Sequence, residues 1–135
     1  MSCLFCDIVA GKIPAKIVTD EPDAVAFHDI RPVSPTHVHV IPKKHIGSLS
    51  ESTDADAALL GRLLIVARET AAKLGLSDGF RVVINNGEHG GQTVGHLHLH
   101  IVPRKSGDGL LFNWEPKPGE RDRIAAVAER IREFL

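Results

Sequence analysis

His96-Leu97-His98-Leu99-His100-Ile101-Val102 alternates imidazole with hydrocarbon. Successive side chains of an extended chain point to opposite faces. The stretch therefore predicts a strand over 97–102, stopped by Pro103. Leu97, Leu99 and Ile101 should enter a core, while His96, His98 and His100 share the other face. Ordinary packing does not account for three imidazoles in a row on one face. Two chemistries do: a metal site, since imidazole is a common ligand of zinc, copper and nickel, or covalent catalysis with imidazole as nucleophile.

Just upstream lies Asn85-Asn86-Gly87-Glu88-His89-Gly90-Gly91-Gln92-Thr93-Val94-Gly95, rich in glycine, amides and a hydroxyl. Bare backbone N–H groups and such side chains cradle phosphate oxygens. A glycine loop alone could be a plain connection. Beside three histidines it favours phosphoryl chemistry.

The flanking pattern supplies the remaining elements. Leu4, Phe5, Ile8 and Val9 mark a short helix over 2–10. Strands are expected over 17–19, 24–28 and 36–42, then 80–85, with the turn Asp20-Glu21-Pro22-Asp23 between the first two. The proline-bearing 29–35 reads as a loop. A long helix is expected over 54–74, with Thr53 as N-cap and Gly75 past its end. Its apolar stripe reads Ala57, Leu60, Leu64, Ala67, Ala71 and Leu74. A final helix over 121–135, within a C-terminal segment 119–135, carries Ile124, Val127, Ala128, Ile131 and Leu135 on one side, a pattern that ordinary packing explains. Strands without regular βαβ alternation predict an α+β fold with a five-stranded, mostly antiparallel sheet, a long central helix and short terminal helices. Residues 1–135 read as a single domain.

Composition narrows the class. The chain has 135 residues, 43% hydrophobic and 24% charged, with a formal net charge of -1. This reads as globular, without the broad basic character of a nucleic-acid binder and without an apolar run of membrane-spanning length. No secretory signal is visible, so a cytoplasmic location is expected. There are eight histidines, which directs attention to imidazole chemistry. Cys3 and Cys6 lie one helical turn apart, too close in sequence for a useful structural disulfide. Redox use, a metal site and simple burial are the readings open to them.

The triad stretch resembles the signature of the histidine triad (HIT) family, His-φ-His-φ-His-φ-φ with φ apolar, at every position. Phe27-His28-Asp29-Ile30, Pro35-Thr36-His37, Val40-Ile41-Pro42-Lys43-Lys44-His45 and Gly91-Gln92-Thr93-Val94 extend the resemblance over nearly the whole chain, toward the Hint branch of purine nucleoside phosphoramidases. The resemblance implies that His98 attacks the α-phosphorus of a nucleoside 5′-phosphoramidate to give a nucleotidyl-histidine. His37 and His100, and the first triad histidine His96, complete the catalytic set. Asn85 and Thr93 would contact the phosphate or leaving group, Gly91 would offer a backbone N–H, and Gln92 belongs to the same loop motif. Asp29 would accept the ribose hydroxyls. Phe5, Ile8, Phe27 and Ile30 would sandwich the purine, although core packing also explains them. The same resemblance implies a structural zinc on Cys3, Cys6, His45 and His96, no catalytic cofactor, and a homodimer of two five-stranded sheets. His39 and His89 have no role in the pattern and are expected to face solvent.

Pro103-Arg104-Lys105-Ser106-Gly107-Asp108 instead resembles the dinucleoside polyphosphate hydrolases of the family, as does Gly91-Gln92-Thr93-Val94. Trp114 stands where the tail tryptophan of Hint dimers would be sought, across a longer loop. Hydrolysis of dinucleoside polyphosphates is thus the alternative activity. A zinc-stabilised nucleotide-binding adaptor is the non-enzymatic alternative.

Overall fold

The computed structural model describes residues 2–76, 78–110 and 116–134. Trp114 and Leu135 lie outside them. A five-stranded sheet runs β1 (Ile17–Asp20), β2 (Ala24–His28), β3 (Val38–Pro42), β4 (Phe80–Ile84) and β5 (Leu99–Pro103) in chain order. In space the order is β1-β2-β3-β5-β4, and every pairing is antiparallel. Three α-helices accompany it among the described residues: α1 (Leu4–Val9), α2 (Ala57–Lys73) and α3 (Arg121–Glu133). None of the helices among the described residues is long and apolar enough to cross a membrane.

Alternation on the central strands gives the sheet two unlike faces. One carries Ala24, Ala26, Val38, Val40, Leu97, Leu99 and Ile101, which pack with Leu63, Val66 and Ala67 of α2. Each fully buried Val, Leu or Ile there contributes roughly 1.5–3 kcal/mol of transfer free energy. The opposite face carries Val25, Phe27 and Ile41 under Phe5 of α1, beside the histidines of β3 and β5.

The first helix begins later than expected. Cys3 is its N-cap, with extended backbone, and its Sγ accepts the Cys6 N–H at 3.4 Å. The long helix is entered through a 3-10 turn, Asp54–Asp56, closed by a capping box in which Thr53 and Asp56 satisfy each other's backbone N–H groups. Gly75 follows the helix at φ 70°, the left-handed conformation that ends helices at glycine. Two further 3-10 turns, Leu49–Glu51 and Glu88–Gly90, were not anticipated.

Two expectations about helix faces need correction. The buried face of α2 is Leu63, Val66, Ala67, Thr70 and Ala71, whereas Leu64 is 56% and Leu74 37% exposed. Apolar residues lie on more than one side of the helix, so periodicity did not select the face. Thr70, buried with its Oγ1 3.5 Å from Thr19 Oγ1, masked the true stripe. The apolar side of α3 is not packed: Ile124, Val127 and Ile131 are all about half exposed and no α3 residue is buried.

Candidate functional site

The triad segment starts before the strand ladder does. Pairing of β5 with β3 covers Val40↔Leu99, His39↔His100 and Val38↔Ile101. His96 to His98 precede it, held where the Leu97 N–H donates to the Ile46 carbonyl at 2.6 Å. The alternation persists regardless. Leu97 is 1% exposed on the α2 side, and His98 is 2% exposed on the other.

His98, His100, His37 and His39 line one cavity of about 680 Å³. Its wall also includes Phe5, Ile8, Phe27, Asp29, Ile30, Asn85, Gly91 and Thr93. His28 lines the same cavity. His28 bridges the loop entrance, with its ring nitrogens 2.8 Å from the Asp29 carbonyl and 3.1 Å from that of Pro35. Phe5 and Phe27 are buried in edge-to-face contact, so they are core and cavity wall at once. Ile30 is 87% exposed at the mouth.

Hydrogen bonds assign the tautomers, because a neutral imidazole carries one donor and one acceptor. His98 Nδ1–H donates to the His96 carbonyl at 2.6 Å. Its Nε2 therefore keeps a lone pair. The Val33 N–H donates to His37 Nδ1 at 3.2 Å, which puts the His37 proton on Nε2. That proton points to His100 Nδ1 at 2.8 Å, which in turn leaves the His100 proton on Nε2. Burial, above all, keeps these rings neutral: it lowers the pKa of His37 and His98, and takes His100 to about 3 with help from His98, His39 and His37. The set is one unprotonated nitrogen beside relayed N–H donors, which suits attack on an electrophile whose oxygens gain charge.

His39 departs from expectation. It is 7% exposed rather than solvent-facing. β3 alternates Val38 and Val40 toward α2, so His37 and His39 must share the histidine face. The His39 Nε2–H donates to Asp29 Oδ2 at 2.8 Å. Burial moves His39 down to about 4, against the opposing pull of Asp29. Burial raises the Asp29 carboxyl, but the Arg31 N–H and the His39 and His37 rings outweigh it and hold it below the usual range. Period-2 counting outward from His37 could have found His39. His89 is exposed, as expected.

Two loop residues do not serve the cavity as expected. Gln92 spends its amide within the loop and on its neighbour: Oε1 accepts from Gly87 N–H, and Nε2 donates to the Gly47 and Val94 carbonyls. The Gly91 N–H is committed to the Glu88 carbonyl at 3.0 Å, in a turn that needs φ 93° at Gly91. Asn85 and Thr93 remain at the wall.

A second group of donors sits beneath α1. The ligand atoms of Cys3, Cys6, His45 and His96 lie within 4.8 Å of one another. His96 Nε2–H donates to the Pro42 carbonyl at 2.8 Å, so Nδ1 offers its lone pair to the group. That Nδ1 is 3.4 Å from Cys3 Sγ, 3.6 Å from Cys6 Sγ and 3.2 Å from His45 Nδ1, and Cys6 Sγ is 3.3 Å from His45 Nδ1. A tetrahedral ion with bonds of about 2.0–2.3 Å separates its ligand atoms by about 3.3–3.8 Å. These residues fit a bound metal ion. Asp29, His37, His39 and His100 also converge within 4.8 Å, but there protons already bridge His37 to His100 and His39 to Asp29.

The buried imidazoles set a pH dependence of stability. His39 and His100 have folded values below the ordinary 6.5. Their contribution is complete above about pH 6.5, and is lost as pH falls, because the unfolded chain then binds protons that the folded chain refuses. Each such group steepens the loss by at most about 1.4 kcal/mol per pH unit. Denaturant unfolding at pH 7.5, 6 and 5 should show progressively lower stability. Stability unchanged from pH 7.5 to 5 contradicts neutral burial of these rings.

The same geometry has relatives. A family model described as the HIT domain matches residues 10–107. A HIT-like protein of Synechocystis sp. is 50% identical over 113 residues, covering 84% of this chain and 95% of that protein. A HIT family hydrolase from Legionella pneumophila has a crystal structure similar at a TM-score of 0.75 and 44% identity, covering 86% of this chain and all of the other. The crystal structure of a histidine triad nucleotide-binding protein from Candida albicans matches at a TM-score of 0.87 and 31% identity, over 99% of this chain and 97% of the other. With its two-faced sheet and its histidine-lined cavity, the chain belongs to the HIT family.

Proposed function

We propose that the protein hydrolyses the P–N bond of purine nucleoside 5′-phosphoramidates through a nucleotidyl intermediate on His98. The observation that carries this reading is the free Nε2 of His98, oriented by the bond from Nδ1–H to the His96 carbonyl and set in a cavity with Asp29, His37 and His100. The similarity to a hydrolase and to a nucleotide-binding protein supports the same reading. In the first step Nε2 forms a bond to the α-phosphorus, the P–N bond breaks, and the departing amine takes a proton from solvent, which the attacking water of the second step returns. In the second, water attacks phosphorus, nucleoside monophosphate leaves, and His98 is regenerated. Asn85, Thr93 and the Nε2–H of His100 are the donors available to the phosphoryl oxygens. Asp29 accepts from the ribose. Phe5, Ile8, Phe27 and Ile30 hold the base.

The segment that resembles the dinucleoside polyphosphate hydrolases has a structural role in the fold. Arg104 and Asp108 form a two-pronged ion pair at 2.7 and 3.1 Å, and Asp108 also accepts the N–H groups of Lys105 and Leu110. The Arg104–Asp108 pair closes a turn.

The direct test is turnover of an adenosine phosphoramidate against diadenosine tri- and tetraphosphate. The phosphoramidate should be the better substrate. His98→Ala should lose at least about a thousandfold in kcat and still bind AMP. Preference for the dinucleotides assigns the alternative activity, and AMP binding without any turnover assigns an adaptor. Loss of only a few-fold in His98→Ala removes His98 as the nucleophile.

We infer that the ion suited to Cys3, Cys6, His45 and His96 is zinc, in a closed structural site. It would tie α1 to the sheet, so that its binding energy is folding energy. Purified protein should carry about one zinc per chain. Chelation should lower Tm, and Cys3→Ala with Cys6→Ala should lose metal and stability before activity. Metal-free protein with two freely reactive thiols refutes the site.

We further propose a homodimer joined across a two-fold axis, the commonest symmetry of soluble assemblies. β4 is an edge strand with Phe80 and Val82 more than a third exposed, which supports edge-to-edge joining. Sedimentation at micromolar concentration should give twice the chain mass, and a monomer there counts against it.

A further inference from the structure

Asp29 sits on a loop, yet its carboxylate must be aimed accurately to read a sugar. Oδ1 accepts the Arg31 N–H at 2.6 Å. That bond is internal to the loop and moves with it. Oδ2 accepts from His39 Nε2 at 2.8 Å, while His37 Nε2 stands off at 3.6 Å. Among the described residues, His39 is therefore the side chain at hydrogen-bond distance that fastens the Asp29 carboxylate to the sheet.

The His39 ring is itself well fixed. It lies opposite His100 in the β3–β5 register and opposite Phe27 in the β2–β3 register. Its centroid is 5.5 Å from Phe5, 5.3 Å from Phe27, 5.2 Å from His98 and 5.0 Å from His100. Nδ1 is buried and has no hydrogen-bond partner. The proton therefore belongs on Nε2, where the carboxylate accepts it. A neutral donor leaves the carboxylate its charge. With about four lone-pair sites and two of them used, Asp29 can still accept two hydroxyls.

We propose that His39 is a positioning residue for sugar recognition, holding Asp29 so that its remaining lone pairs meet the ribose 2′- and 3′-hydroxyls. This rests on the nucleotide reading above. His39 acts through Asp29 and has no part in bond making. Its removal should weaken ribose recognition and leave the phosphoryl step intact.

The test pairs His39→Leu, which fills the space without a donor, with His39→Gln, whose amide N–H can stand in for Nε2–H. Binding of AMP and of 2′,3′-dideoxyAMP is measured by calorimetry, and kcat and KM are measured on adenosine phosphoramidate. Wild type should prefer AMP. In His39→Leu the AMP affinity should fall about tenfold and the preference should collapse, with dideoxyAMP affinity changed less than about twofold. KM should rise while kcat stays within about threefold. His39→Gln should recover most of the preference. Full preference retained in His39→Leu overturns the proposal alone. So does an equal loss for both nucleotides, or a kcat loss like that of His98→Ala. Wild-type protein that binds neither nucleotide overturns the nucleotide reading, and this proposal with it.

Discussion

The 2.6 Å bond from His98 Nδ1–H to the carbonyl of His96 is the contact on which the rest of the site depends. It fixes the tautomer and turns the lone pair of Nε2 outward. A carbonyl can do this only if it is itself immobile. Here His96 is 0% exposed, its ring bonded to the Pro42 carbonyl, and the next residue, Leu97, is sunk in the core with its N–H on Ile46. The donor group of Cys3, Cys6 and His45 closes on the other ring nitrogen of His96. One histidine thus joins α1, the loop after β3 and the nucleophile.

The two clusters of potential metal ligands show how proton placement separates similar geometries. At Cys3, Cys6, His45 and His96, a lone pair of His96 converges with two sulfurs and another imidazole nitrogen, a concentration of acceptors that a cation relieves. At Asp29, His37, His39 and His100, backbone and side-chain bonds already dictate where each proton lies. The first group suits an ion. The second is a relay of donors, which suits recognition of charged and hydroxylated ligands.

Much of this was legible along the chain. The alternation in β5 identified both the core set and the histidine face, and β2 was bounded as observed. Boundaries elsewhere shifted by one to three residues, because caps and ladder partners set them. β3 begins at Val38 rather than two residues earlier, where no partner strand continues. The side taken by His39 was legible, because Val38 and Val40 flank it on the strand. Three points were not legible. The face of α2 depends on which side meets the sheet. Gln92 and the Gly91 N–H are consumed by turn closure, which a glycine-rich sequence does not announce.

By itself the sequence determined the period-2 pattern, the family signature and the spacing of the candidate ligands, since these are local properties of covalent order. Only the tertiary structure decided which donors meet. Strands β3 and β5, some sixty residues apart in sequence, pair so that His39 faces His100. Folding β3 against β2 and β5 places a neutral imidazole under Asp29, and the seating of α1 brings Cys6 to His45. Hydrogen-bond partnership is a matter of a few tenths of an ångström, and no spacing along a chain carries distances of that kind.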